Sequence, residues 1–240
     1  MIFAVDIGNT NIKIGIFDEN QLIENNTFDS YSEFENHIIK KINKNDSICI
    51  SSVVPKLTKK MGSNHFLSKN LFLVKHTNCK MKLNIDFKES VGTDRLCNIS
   101  AATKAYKSPM IIIDFGTANT YNVIDEKNTF IGGIIAPGIK TSSQCLADKG
   151  AQLNKTPFIF PKNIIGKSTE TNIQSGIMYG ALAQTEGMIE KIKKETNIKN
   201  YSIILTGGFG KIISKKLTFK HIYDQNLTLR GVLNIYNNNL

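Results

Sequence analysis

The chain has 240 residues, 41% of them hydrophobic and 21% charged, with a formal net charge of +10. That length allows one large or two small domains with a sizeable core, and no apolar run approaches the roughly 18 residues of a membrane span. The positive charge is almost all lysine spread along the chain, with Arg95 and Arg230 as the two arginines; lacking a dense basic block with interleaved aromatics, it does not describe a nucleic-acid surface.

In chain order, Ile2–Val5 reads as a buried strand, with no basic stretch before it that would make a signal peptide. Ile12, Ile14 and Ile16 alternate with Asn11, Lys13 and Gly15, which predicts a second strand; Asp18–Asn20 is a turn and Gln21–Phe28 a third strand. Tyr31, Phe34, Ile38 and Ile42 mark a helix over 31–43, Ser47–Val54 is another strand, and Pro55 opens a helix towards Met61. Asn98–Tyr106 reads as a helix that closes the first half before Pro109. The second half repeats the opening, with strands at Met110–Asp114, Thr120–Ile124 and Thr129–Ile135 and a turn at Asp125–Asn128. An irregular stretch over 154–168 carries Pro157 and Pro161. A long helix over 172–195 follows, then a strand at Ser202–Thr206 running into Gly207-Gly208-Phe209-Gly210, and a helical tail from about 226. No Pro/Ser-rich or strongly charged linker appears, so the expectation is two halves, 1–108 and 109–240, packed on one another with a cleft for a ligand.

Cys49, Cys79, Cys97 and Cys145 are far apart and form no C-x-x-C pair. They suit reduced thiols in a cytoplasmic protein better than a disulfide framework or a zinc site. His37, His65, His76 and His221 show no metal-ligand spacing and are expected to be structural or exposed.

Two segments are versions of one another. Asp6-Ile7-Gly8-Asn9-Thr10-Asn11 follows the first apolar strand, and Asp114-Phe115-Gly116-Thr117-Ala118-Asn119-Thr120 follows its counterpart nearly half a chain later. In each, a glycine lets backbone N–H groups point at a phosphate and small hydroxyl and amide side chains add neutral donors. Lys13 follows on the polar side of the next strand, and Asp6 is placed to hold Mg²⁺ through water. A hairpin turn stabilised by its Asp explains one copy as well as phosphate binding does; the duplication favours the phosphate reading, a nucleotide tail being the natural shared ligand.

Two familiar nucleotide motifs fail. A Walker A loop ending at Gly166-Lys167-Ser168 needs a glycine where Pro161 stands, and a dinucleotide fingerprint from Gly208 needs one where Ile213 stands. Gly92-Thr93-Asp94-Arg95 is the strongest catalytic candidate. In so lysine-rich a chain an arginine points to a task lysine does less well, such as bidentate grip of a carboxylate or phosphate, and Asp94 beside it is a candidate proton acceptor. The plainer alternative is a helix start capped by Thr93 or Asp94, with Arg95 in a surface ion pair. Thr206-Gly207-Gly208 would let backbone approach an adenine or ribose edge, or make a simple strand-to-helix turn.

Together these residues resemble the type III pantothenate kinases of the acetate/sugar kinase–Hsp70–actin superfamily. The resemblance runs nearly end to end: D-I-G-N-T-N-I-K at 6–13, V-G-T-D-R at 91–95, D-F-G-T-A-N-T at 114–120, G-G-I-I-A-P-G at 132–138, G-K-S-T-E-T-N-I-Q-S-G at 166–176, T-G-G at 206–208 and L-R-G-V-L at 229–233. It implies an α/β fold of two similar ribonuclease-H-like (actin-like ATPase) domains, with mixed sheets flanked by helices and a cleft between them. It implies transfer of the γ-phosphate of ATP to the 4′-hydroxyl of pantothenate, the first step of coenzyme A biosynthesis, with Asp94 as general base. Phe87, Gly92, Thr93, Asp94, Arg95 and Thr169 would contact pantothenate. Asp6, Ile7, Gly8, Asn9, Thr10, Asn11, Ile12, Lys13 and Thr117 would bind ATP. Asp114 would hold the monovalent cation, K⁺ or NH₄⁺, on which the family depends, and Mg²⁺ would accompany ATP. The family is homodimeric, with the pantothenate pocket at the subunit interface.

Two departures stand out. Family members carry a Tyr-x-x-Pro-like segment shortly before G-x-D-R; here Ile85–Ser90 has no proline and a shorter spacing, leaving Phe87 as the aromatic candidate. The usual alanine of G-A-D-R is Thr93. The competing expectation is a non-catalytic transcription accessory protein of the same family, against which the presence of both Asp94 and Arg95 argues. Another sugar or acid kinase of the superfamily is a further alternative.

Overall fold

The computed structural model describes residues 1–64, 67–68, 70–150 and 156–240, so His65 and the first two residues of the expected irregular stretch lie outside the described residues. Its first sheet grows from β1 (Ile2–Ile7), whose near-continuous apolar sequence is what a strand covered on both faces needs. β2 (Ile12–Asp18) and β3 (Gln21–Phe28) add antiparallel on one side. β4 (Ser47–Ser52) and β5 (Leu71–Leu73) add parallel on the other, giving the order β3-β2-β1-β4-β5. Helices α1 (Tyr31–Lys41), α2 (Pro55–Ser63) and α3 (Thr93–Ala105) and a short strand β6 (Lys82–Leu83) complete the N-terminal stretch. Ser30 caps α1 by accepting the Glu33 N–H at 3.3 Å, and Phe34 and Ile38 turn its apolar stripe inward.

The same plan recurs. β7 (Met110–Phe115), β8 (Ala118–Ile124) and β9 (Thr129–Pro137) are successively antiparallel, while β10 (Ser202–Thr206) and β11 (Ile222–Tyr223) run parallel to β7, in the order β9-β8-β7-β10-β11. α4 (Ile139–Lys149), α5 (Thr169–Thr196) and α6 (Gly210–Ser214) accompany this sheet. Three antiparallel strands joined to two parallel ones, occurring twice with helices alongside, is the ribonuclease-H-like, actin-like arrangement.

Two compact units divide the chain: Met1–Tyr106 with Asn226–Leu240, and Lys107–Gln225. The expected halves, 1–108 and 109–240, placed the tail in the second. In the structure the tail forms α7 (Leu227–Asn237) and joins the first unit because its apolar face, including Leu227, Val232 and Ile235, is buried there. The first core gathers Phe3, Val5, Ile7 and Ile14 with Phe34, Ile38 and Met61; the second gathers Ile111, Ile113, Phe115 and Tyr121 with Met178, Ile189 and Ile213. Each such side chain contributes about 1.5–3 kcal/mol of burial.

The structure departs from the sequence expectation in several elements. α3 starts at Thr93 rather than Asn98, so Gly92-Thr93-Asp94-Arg95 forms its first turn. α5 likewise starts at Thr169, earlier than position 172. α4, α6, β5, β6 and β11 are additional; α4 buries only Ile139 and Ser143, too little for a visible apolar stripe. Cys49, Cys79 and Cys97 are buried free thiols and Cys145 an exposed one. Among the described residues no helix is long and apolar enough to cross a membrane.

Candidate active site

Asp6 is the penultimate residue of β1. Antiparallel pairing sets it opposite Lys13 on β2, and parallel pairing sets it beside Ser51 on β4. Directly paired residues share a sheet face, so a carboxylate, an ammonium and a hydroxyl stand together on one face at the carboxyl ends of β1 and β4. The turn beyond Asp6 closes through the Gly8 N–H donating to the Asn11 carbonyl at 3.0 Å, and leaves Asn9 and Thr10 exposed at its tip.

The same end of this unit carries the first turn of α3. The N-cap is Gly92, not Thr93 or Asp94, and it makes no side-chain cap bond. The glycine leaves room for what lies over it: a Cβ there would stand 2.5 Å from the Asp94 Oδ1 and would push the carboxylate aside. That oxygen accepts the Arg95 N–H at 2.8 Å, and a carboxylate in the first turn of a helix is favoured by the N-terminal dipole. Thr93 faces β4: its Oγ1 accepts from the Ser52 N–H at 3.0 Å and from the Ser51 hydroxyl at 3.1 Å, and donates to the Ser52 carbonyl at 3.1 Å.

Arg95 is half-buried; burial lowers its pKa and the neighbouring Asp94 charge opposes that. Arg230, by contrast, is exposed and donates to the Tyr106 hydroxyl at 3.3 Å. Cys97 lies beneath this cluster. Burial pushes its thiol well above the ordinary range, the negative charge of Asp6 adds to that and Asp94 adds less, while a hydrogen bond with Ser51 works the other way. One buried thiol thus feels both carboxylates, which sets Asp6 and Asp94 in one electrostatic neighbourhood. Phe87 lies in the same unit, 68% exposed, just before the short turn Lys88–Ser90.

L-R-G-V-L, an uninformative string on its own, gains a physical reason. A Cβ at Gly231 would stand 1.9 Å from the Cys97 carbonyl oxygen, so α7 and α3 are in backbone contact directly below the Asp94 turn. Thr228 donates to Asn98 at 2.8 Å and Asn234 donates to the Ser100 hydroxyl at 2.7 Å, both buried. Asn98, Asn234 and Gly231 therefore fix the floor of this turn, and none was legible from spacing.

In the second unit Asp114 is the penultimate residue of β7, opposite Thr120 on β8 and beside Thr206 on β10. Gly116 N–H donates to the Ala118 carbonyl at 3.2 Å, the counterpart of the Gly8 bond. Here, though, other elements close in. Gly207 has φ +89°, and a Cβ on it would stand 2.3 Å from the Asp114 Oδ1 and 2.6 Å from the Phe115 nitrogen. A Cβ at Gly138 would meet the Gly116 and Thr117 carbonyl oxygens, each at 2.4 Å. The Gly138 N–H and the Thr141 hydroxyl both donate to the Thr117 carbonyl, at 3.2 and 2.6 Å, while the Thr117 side chain stays exposed. The Thr120 hydroxyl is buried and finds no partner among the described residues.

Thr169 is exposed at the first position of the 28-residue α5. Ser168 and Thr171 form a reciprocal capping box, with the Thr171 N–H on the Ser168 hydroxyl at 3.2 Å and the Ser168 N–H on the Thr171 hydroxyl at 3.0 Å. Asp6, Lys13, Phe87 and Gly92–Arg95 thus belong to the first unit, and Asp114, Thr117 and Thr169 to the second.

A family model described as type III pantothenate kinase matches residues 2–191. A type III pantothenate kinase of Agathobacter rectalis is 34% identical, over 98% of this chain and 96% of the relative. One from Sulfurihydrogenibium sp. is 39% identical, over 97% and 98% respectively. Among solved structures, a Campylobacter jejuni protein described as a Baf family transcriptional activator superposes with a TM-score of 0.68 over 99% of this chain and 100% of that one; at 20% identity the likeness carries the fold alone and does not favour the accessory-protein reading. With the family model spanning most of its length and full-length relatives above 30% identity, this chain belongs to the type III pantothenate kinase family.

Proposed function

We propose that this chain phosphorylates pantothenate on its 4′-hydroxyl with ATP, giving 4′-phosphopantothenate and ADP, the first step of coenzyme A biosynthesis. The observation that carries this reading is the Asp94 carboxylate folded over Gly92 in the first turn of α3, next to Thr93, whose hydroxyl accepts from the Ser51 that pairs with Asp6 of the first phosphate turn.

The 4′-oxygen forms a bond to the γ-phosphorus, the bond from that phosphorus to the β–γ bridging oxygen breaks, ADP leaves, and the hydroxyl proton passes to Asp94. Such transfers run through a loose transition state, so positioning and charge stabilisation dominate; a general base contributes roughly 10²–10⁴-fold. Arg95 holds the pantothenate carboxylate, for which a half-buried planar guanidinium is well suited. Gly92, Phe87 and Thr169 are assigned to pantothenate on the family resemblance, and Asp6 to Lys13 with Thr117 to ATP. Asp6 would hold the Mg²⁺ that accompanies ATP, which would supply charge neutralisation on the phosphates. Asp114 fits a monovalent cation: its carboxylate stands opposite the unpartnered buried Thr120 hydroxyl, an oxygen-only donor set suited to a hard cation. The active form is a homodimer.

The test is an ADP-release assay with ATP, Mg²⁺ and pantothenate, in K⁺ and again in Na⁺, with the product identified by mass. Pantothenate-dependent release with 4′-phosphopantothenate formed is expected, and activity is expected to fall without K⁺. Activity indifferent to K⁺ removes the Asp114 cation assignment; no pantothenate-dependent turnover removes the kinase reading. Arg95→Lys is expected to raise KM for pantothenate about tenfold, the scale of one charge-assisted hydrogen bond, and to leave KM for ATP nearly unchanged. An equal effect on both substrates removes Arg95 from the carboxylate.

A further inference from the structure

We propose that Thr93 is a positioning residue and not a substrate contact: its hydroxyl pins the Gly92–Arg95 turn to the end of β4 and so fixes where the Asp94 carboxylate stands. A threonine hydroxyl offers one donor and two acceptor sites. The Ser52 N–H and the Ser51 hydroxyl occupy the two acceptor sites, and the Ser52 carbonyl takes the donor. Nothing is left over for a ligand.

The tether is part of a longer chain of hydroxyls. Ser51 is the register partner of Asp6 and its hydroxyl donates to Thr93, so one serine joins the first phosphate turn to the turn of α3. On the other side, the Ser52 hydroxyl accepts from Thr58 of α2 at 2.7 Å and from the Val54 N–H at 3.1 Å. Ser52, Thr58 and Thr93 thereby tie β4 to both α2 and α3, beside the β1–β4 pairing at Ser51. Asp94 is the next residue along the backbone, and its Oδ1 is already fixed over Gly92. A shift at position 93 therefore moves the carboxylate, and small misplacements of a reacting group are costly in phosphoryl transfer.

The inference rests on the kinase reading above, and its test separates the two. Thr93→Val keeps the shape and removes the hydroxyl; Thr93→Ser keeps the hydroxyl; Thr93→Ala serves where valine overpacks the site. Each is assayed for both substrates, and amide hydrogen exchange is followed over residues 51–53 and 93–96. In Thr93→Val, kcat/KM for pantothenate is expected to fall about tenfold, the scale of one net hydrogen bond, with KM for ATP within about twofold of the parent and faster exchange in both segments. Thr93→Ser restores both. A role in stability alone would lower the melting temperature and leave kcat and both KM values of the folded enzyme at their parental values, which overturns the proposal. So does a valine variant with parental kinetics, or a serine variant as impaired as valine. If the parent forms no 4′-phosphopantothenate, the kinase reading fails on its own, and unchanged exchange in Thr93→Val then overturns the tether separately.

Discussion

The turns after β1 and β7 share a code, Asp-x-Gly with hydroxyl and amide residues, yet they are built differently. The first closes on itself through one backbone bond, and its Asp6 stands opposite a lysine. The second is enclosed by Gly138, Thr141 and Gly207, and its Asp114 stands opposite a buried, unpartnered threonine hydroxyl. A duplicated local sequence thus fixes a duplicated backbone. The residue across the strand pair and the elements folded back from elsewhere differ between the copies, and on the function proposed above the open turn takes the phosphates and the enclosed, oxygen-rich one the cation.

The largest effect expected belongs to the residue that only the first unit has. Asp94→Asn keeps an oxygen that can accept the Arg95 N–H but is far less basic. It is expected to lower kcat by about 10²-fold or more, with melting temperature and circular dichroism unchanged. Near-parental turnover would exclude Asp94 as the base.

The difference in enclosure is sharpened by paired glycine substitutions. Gly207→Ala forces a side chain onto a φ of +89° and against the Asp114 carboxylate and the Phe115 backbone, and is expected to cost about 2–4 kcal/mol. Gly8→Ala meets only the Asn11 carbonyl oxygen, at 3.3 Å, and is expected to cost about 1 kcal/mol or less. Equal losses in denaturant titrations of the two variants would mean that the two turns are equally constrained.

How much of this was legible in the sequence depended on how local each cause is. The strands around β1 and β7, the two Gly turns and Gly92–Arg95 could be read because alternation, turn glycines and motif spacing act over a few residues. The start of α3 could not, because Gly92 offers no capping side chain and position 93 is held by β4, distant in sequence. α4 was missed because its sequence buries little. The assignment of α7 to the first unit was missed because it depends on Gly231 letting two backbones touch, a contact across more than half the chain. The orphan hydroxyl of Thr120 is likewise a property of its surroundings and not of its motif.

The smallest expected effects test the two register partners directly. Lys13→Met keeps the apolar stem and removes the ammonium; KM for ATP is expected to rise about tenfold, on the scale of one charge-assisted contact. Thr120→Val is the more discriminating change, because two mechanisms predict opposite results. If the hydroxyl donates its oxygen to a cation held by Asp114, its loss raises the K⁺ concentration for half-activation by roughly fivefold, since cation affinity follows the number of oxygen ligands. If the hydroxyl has no ligand in the working enzyme, a buried polar group without a partner is a cost, and valine removes it. Thr120→Val would then raise the melting temperature and leave the K⁺ dependence where it was. A K⁺ titration and a thermal melt of one variant therefore decide whether the second turn is enclosed in order to hold an ion.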